Sequence, residues 1–126
     1  MRNVITLAAV IAAAVALPAV APAKNDPGLV QRTGKCSNGA TWKLKAKPDD
    51  ARLEVEFEVD QNVSGRRWSV VITRDGRQVF RGARIPRPPS GSFSVNRRPA
   101  DPAGPDRIVA IARAARGGVC RAALTV

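Results

Sequence analysis

The chain has 126 residues, two cysteines, no histidine and no tyrosine, and its 21 basic against 10 acidic side chains give a formal net charge of +11. That length fits one domain. Without histidine or tyrosine, proton transfer near neutral pH falls to carboxylates or lysines. Aromatic residues make up only 4 % of the chain, so the core is thin and a covalent tie matters to it.

Met1-Arg2-Asn3 carries one positive charge ahead of an apolar run from Val4 to Leu17, which Pro18 closes. Ala21-Pro22-Ala23 puts small residues where a signal peptidase reads, so residues 1–23 are expected to be an export signal cut after Ala23. The run is shorter than the roughly 20 residues a spanning helix needs, so no transmembrane anchor is expected after processing. The address read from this end is secreted, extracellular. Residues 24–34 contain the turn signal Asn25-Asp26-Pro27-Gly28 and read as a flexible leader, with residues 35–126 as the folded domain. Cys36 and Cys120 lie near the two ends of that domain. An oxidising compartment favours pairing, and two cysteines allow one intramolecular disulfide. A disulfide-linked dimer or free thiols are the alternatives; the intramolecular bridge in a monomer is the expectation.

In Trp42-Lys43-Leu44-Lys45-Ala46-Lys47 the apolar residues share one face and the lysines the other. Pro48-Asp49-Asp50-Ala51 turns the chain into the clearest strand. There Leu53, Val55, Phe57 and Val59 alternate with Glu54, Glu56, Glu58 and Asp60. Placing Lys47 opposite Arg52 sets Leu44 against Val55 and Trp42 against Phe57, with Lys45 meeting Glu54. A shift of two keeps the faces and pairs Lys47 with Glu54; a shift of one sets apolar against charged. With lysines beside it, the carboxylate row makes a poor cation cage, and no metal site is expected.

Arg67 to Thr73 reads as the next strand, and Asp75-Gly76 is the two-residue hairpin signal that returns it through Gln78-Val79-Phe80. Pairing Thr73 with Gln78 and Ile72 with Val79 puts Trp68, Val70 and Ile72 on one face, Val71 and Phe80 on the other. Arg84-Ile85-Pro86-Arg87-Pro88-Pro89-Ser90-Gly91 has too many prolines for a central strand and reads as a stiff connection between sheets. Ser92 to Asn96 resumes the alternation, and Pro99 to Asp106 turns again. Arg107 to Arg116 reads two ways. As a strand it sends Ile108, Ala110 and Ala112 inward; as a helix, Asp106 caps it and Gly117-Gly118 stops it. The strand is favoured because Gly117-Gly118 also turns a hairpin into Val119–Val126, where Cys120, Ala122, Leu124 and Val126 share a face.

Six or seven short antiparallel strands of this kind indicate an all-β, two-sheet sandwich, its disulfide joining the first and last strands. The arrangement resembles immunoglobulin and fibronectin type III domains, with Trp68 about where such folds bury a tryptophan on their third strand. It departs from them in lacking a tyrosine corner and a cysteine on the Leu53–Val59 strand. Through GKCSNGATWKLKAKPDD and GVCRAALTV the chain also resembles short secreted proteins of GC-rich Gram-positive bacteria, of unassigned function. That resemblance implies fold and address and carries over no active residue.

The sequence shows no phosphate-binding glycine loop, zinc spacing or nucleophile elbow. A non-catalytic domain without a cofactor is expected. Its positive charge suits acidic envelope polymers, with no specific nucleic acid expected, although GC-rich codons alone also enrich a chain in arginine. Arg66, Arg67, Arg74, Arg77, Arg81 and Arg84 surround the Asp75-Gly76 hairpin and are the candidate binding residues. The alternative is an extracellular protein partner, a protease included, engaged by the Arg84–Ser90 loop through its Arg84-Ile85 bond.

Overall fold

A computed structural model describes residues 27–62, 65–101 and 103–126. The expected export signal, residues 1–23, lies outside them. Among the described residues no helix is long and apolar enough to cross a membrane. The described residues form eight strands: β1 (Val30–Lys35), β2 (Thr41–Asp49), β3 (Arg52–Asp60), β4 (Trp68–Arg74), β5 (Arg77–Arg84), β6 (Ser92–Arg97), β7 (Arg107–Ala114) and β8 (Val119–Thr125). They form two antiparallel sheets, β1-β2-β3-β6 and β5-β4-β7-β8, packed face to face as a sandwich.

The expected leader is in part a strand. Residues 30–34 belong to β1, which pairs with β2 from Val30 opposite Ala46 to Lys35 opposite Thr41. Its polar sequence hides this, because β1 is an edge strand and buries little of its own surface.

Alternation in β2 and β3 is as read, with Leu44, Ala46, Leu53, Val55, Phe57 and Val59 fully buried. Their register is the two-residue shift: Lys47 faces Glu54, Lys45 faces Glu56, Lys43 faces Glu58, and Trp42 faces Val59. The turn is only Asp50-Ala51, with Asp50 at φ 55°, so Pro48 and Asp49 extend β2. Pro48 is tolerated there because Leu53 opposite it donates away from β2, to the Pro99 carbonyl at 2.9 Å.

The β4–β5 hairpin turns at Asp75-Gly76, both at positive φ (48° and 81°), as a type I′ turn requires. Thr73 does face Gln78. Beyond that pair a bulge interrupts the ladder, and Ile72 faces Phe80 rather than Val79. One extra residue in β5 reverses its faces, so Phe80 turns into the sandwich and is buried. The expected outer pairing of Phe80 with Val71 is thereby corrected. The bulge also brings Gly82 onto the inner side, where a Cβ would lie 2.8 Å from the Phe80 ring.

Arg107 to Ala114 is strand, with Ile108, Ala110 and Ala112 fully buried between β4 and β8. The proline-rich stretch is the expected connection between sheets, running from β5 to β6 with Pro86 buried. Trp68 is the largest fully buried side chain; its ring tilts against Phe93 at 6.0 Å and its indole N–H donates to Gln61 Oε1 at 2.9 Å. A buried indole N–H needs such a partner.

Two seams run along the sides of the sandwich. At one, β1 and β2 meet β8, and the Cys36–Cys120 disulfide ties the end of β1 to β8 across a Cα separation of 4.3 Å. Ser37 strengthens it, its N–H donating to the Val119 carbonyl and its hydroxyl accepting from the Val119 N–H. At the other, β5 faces β6. The bridge closes 84 residues of sequence, which removes about 4–5 kcal/mol of unfolded-state entropy as an upper value. A Cys36→Ser, Cys120→Ser double variant should lose up to about that much stability in urea unfolding, with the oxidised wild type as reference. A loss well under about 1 kcal/mol would show that the seam holds without the bond.

Candidate anion-binding surface

The outer faces of the two sheets differ in charge. On the first, the Lys43, Lys45, Lys47 row of β2 lies against the Glu58, Glu56, Glu54 row of β3. Lys47 Nζ is 3.8 Å from Glu54 Oε2, both half in solvent. Such pairs contribute little individually but neutralise the face. The β4, β5, β7 and β8 strands of the second sheet hold seven arginines, no lysine and no carboxylate.

Pairing places those arginines. Arg81, Val71, Ile111 and Arg121 form one row across the second sheet's outer face, and Ala83, Ser69, Arg113 and Val119 form the next. Val71 and Ile111 are half-buried, an apolar floor between arginines. With Arg67 at the near end, Arg81 and Arg113 border a shallow depression of about 370 Å³ over that floor. Arg81 and Arg121, three strand spacings apart, stand about 14 Å from one another. Guanidinium groups so spaced, without carboxylates between them, suit a ligand that repeats its negative charge.

The six candidate arginines do not form one cluster. Arg66 and Arg67 precede β4, at the end of the hairpin away from its turn, and are exposed. Arg77 is exposed at the turn itself. Arg81 alone of the six lies mid-face on the outer side. Arg84 pairs with Trp68 and so points to the inner side, where its guanidinium sits 4.9 Å from the Phe80 ring centroid. Arg74 pairs with buried Ile108, and its Nε and Nη1 are shut away from solvent without a hydrogen-bond partner among the described residues. The hairpin arginines are adjacent in sequence, but alternation, the bulge and the length of β4 send them to both ends and both sides. Arg113 and Arg121, which complete the face, were visible as the outward partners of inward Ala112 and Cys120; what no sequence pattern showed was that β7 lies beside β4.

The Arg84–Ser90 stretch joins the two sheets. Arg84 is within β5, Ile85 is exposed at 53 %, Pro86 is buried, and Arg87 to Ser90 are exposed.

The acidic groups nearest the second sheet gather at its turn end. Asp75 Oδ1 accepts from the Arg107 N–H at 2.8 Å, and Asp106 pairs its backbone with Val126 in both directions. The Asp106 carboxyl is buried. Burial first, then a hydrogen bond with Asp101 and the charges of Asp101 and Asp75, push its pKa up to about 6, against the opposing pull of Arg74. Asp101 is anchored in turn by its N–H to the Ala51 carbonyl at 2.9 Å. This cluster therefore pins the β6–β7 crossover to the β2–β3 turn and to the chain's last residue.

No family model, curated protein or solved structure matches the chain.

Asp106 keeps its proton to about pH 6 when folded and loses it near 3.8 when unfolded. Its contribution to stability is full below the lower value and is lost as pH rises through the higher one. Urea unfolding of wild type and Asp106→Asn across that window should show the variant gaining on wild type as pH rises, with the difference levelling above about 6. A difference that does not change with pH would refute the assignment.

Proposed function

We propose that this is a small, non-catalytic, secreted domain that binds acidic polymers of the cell envelope on the outer face of its second sheet. The observation that supports this best is the segregation of charge. Codon usage can enrich a chain in arginine, but it does not by itself keep carboxylates out of four neighbouring strands while setting them opposite lysines in the other sheet. An all-arginine face with a half-buried apolar floor suits a chain of phosphate or carboxylate groups, each taken by a planar pair of N–H donors. The disulfide fits an oxidising compartment, and the signal-like start of the chain agrees with it.

The test is retention on immobilised heparin and on an immobilised polyol-phosphate polymer, eluted with salt. Wild type is expected to elute later than an Arg81→Gln, Arg113→Gln, Arg121→Gln triple variant on both, because counterion release scales with the phosphates neutralised. An Arg32→Gln, Arg52→Gln, Arg98→Gln variant, which removes the same charge from elsewhere, should elute nearer wild type. Equal loss from both triple variants would mean that net charge, not this face, governs retention.

A further inference from the structure

Among the described residues Ile85 is the one large apolar side chain left exposed. An exposed isoleucine by itself is ordinary. The surroundings of this one are not. Arg84, Ile85 and Arg87 together border two depressions, of about 410 and 370 Å³. Arg67 and Ala83 complete the first, which has no carboxylate in its lining. The second includes Glu58, which belongs to the outer row of the first sheet and faces Lys43. Arg67 and Ala83 also border the depression over Val71 and Ile111, so the arginine-bearing face of the second sheet runs on to Ile85.

Both neighbours of Ile85 are committed to the interior. Arg84 turns inward against the Phe80 ring, and Pro86 is buried. The Gly65 N–H donates to the Pro86 carbonyl at 3.2 Å, which brings the segment with exposed Arg66 and Arg67 beside this corner. The Arg67 carbonyl accepts from the Ala115 N–H at 2.9 Å. On the other flank the Arg87 N–H donates to the Ser92 carbonyl at 3.1 Å, and the Arg87 carbonyl accepts from the Gly91 N–H at 2.9 Å. Asp60, opposite Ser92, is taken up by the Asn62 N–H. Backbone bonds thus set the apolar tip and its flanking cations before any partner arrives, which lowers the ordering cost of binding.

We propose that this corner docks the domain on an anionic lipid surface, Ile85 entering the boundary between headgroups and acyl chains and Arg67 and Arg87 taking lipid phosphates beside it. A soluble polyanion answers the arginines and gains nothing from Ile85. An apolar protein patch answers Ile85 and leaves the arginines desolvated without partners. A leaflet of anionic lipids presents phosphates directly above apolar chains and answers both. One isoleucine is a smaller anchor than a single myristoyl chain, whose own hold is reversible, so docking depends on the charges and is released by salt. The site rests on the β5–β6 connection and needs no contact from Arg81, Arg113 or Arg121.

The experiment is co-sedimentation of the chain from Lys24 onward, which includes every described residue, with two kinds of vesicle. One holds phosphatidylglycerol and phosphatidylcholine in equal parts, the other phosphatidylcholine alone. Binding is expected to the first and not the second, and is expected to fall as salt rises. Ile85→Ser should weaken it about tenfold, through the apolar burial removed. Arg87→Gln should weaken it about fivefold, the factor that about 1 kcal/mol for an arginine at an anionic surface implies. Arg32→Gln, on β1 at the opposite edge of the first sheet, should cost well under that. Ile85→Trp reports insertion itself: lipid brominated in its acyl chains should quench its fluorescence beyond any quenching of wild type, whose Trp68 is fully buried and Trp42 half-buried. No binding to the anionic vesicles, equal binding by wild type and Ile85→Ser, equal losses from Arg87→Gln and Arg32→Gln, or an Ile85→Trp signal that brominated lipid leaves unchanged would each overturn the proposal. Ile85 plays no part in retention on the polymer columns, so the two readings fall separately.

Discussion

The disulfide between Cys36 and Cys120 fixes the seam at which β1 and β2 of one sheet meet β8 of the other. A sandwich with so few aromatic residues buries mainly aliphatic surface, and the relative placement of its sheets depends on what closes its sides. The covalent tie closes one side. The stacking of Arg84 and Arg97 on Phe80 closes the other, with guanidinium groups where a larger core would supply apolar side chains. Between them Trp68 fills the centre, its only polar atom satisfied by Gln61.

With the sheets so placed, the two outer faces become separate surfaces with different electrostatics. The first is a zipper of lysine against carboxylate, held in register by a one-residue slip that would set apolar side chains against charges. Its attraction for ions at a distance is small, because opposite charges lie one strand spacing apart. The second offers guanidinium groups over a partly apolar floor, and nothing on its strands opposes them. A chain with a large positive charge thus concentrates its field on one side, which is what an anion-seeking surface requires.

Arginines in this domain do three different things. Arg81, Arg113 and Arg121 face outward with the sheet behind them. Arg84 and Arg97 lie against an aromatic ring, partly withdrawn from water. Arg74 acts on the Asp106 carboxyl at the end of the sandwich, where it moderates that buried group and has its own Nε and Nη1 withdrawn from solvent. Substituting arginines by sequence neighbourhood would mix these roles; substituting them by face separates them.

Alternation alone, a local property of an extended chain, was enough to read Leu53–Asp60 as a half-buried strand, to pair lysines with carboxylates in one of two registers, and to place Trp68, Ile108 and Cys120 inside. The Asp75-Gly76 turn was equally local, since positive φ at both positions is a property of the residues themselves. The sequence did not choose between the two β2–β3 registers, because both keep every apolar residue dry; only the folded hairpin, with Pro48 continuing the strand, decides. Nor did it place the bulge after Gln78 that turns Phe80 inward, or give a strand to polar residues 30–34, whose reason for extending is an unpaired neighbour rather than their own side chains. The candidate site was legible as a collection of arginines but not as a surface. Which arginines share a face depends on strand order, and strand order is set by contacts between segments far apart in the chain, of which an individual segment carries no record.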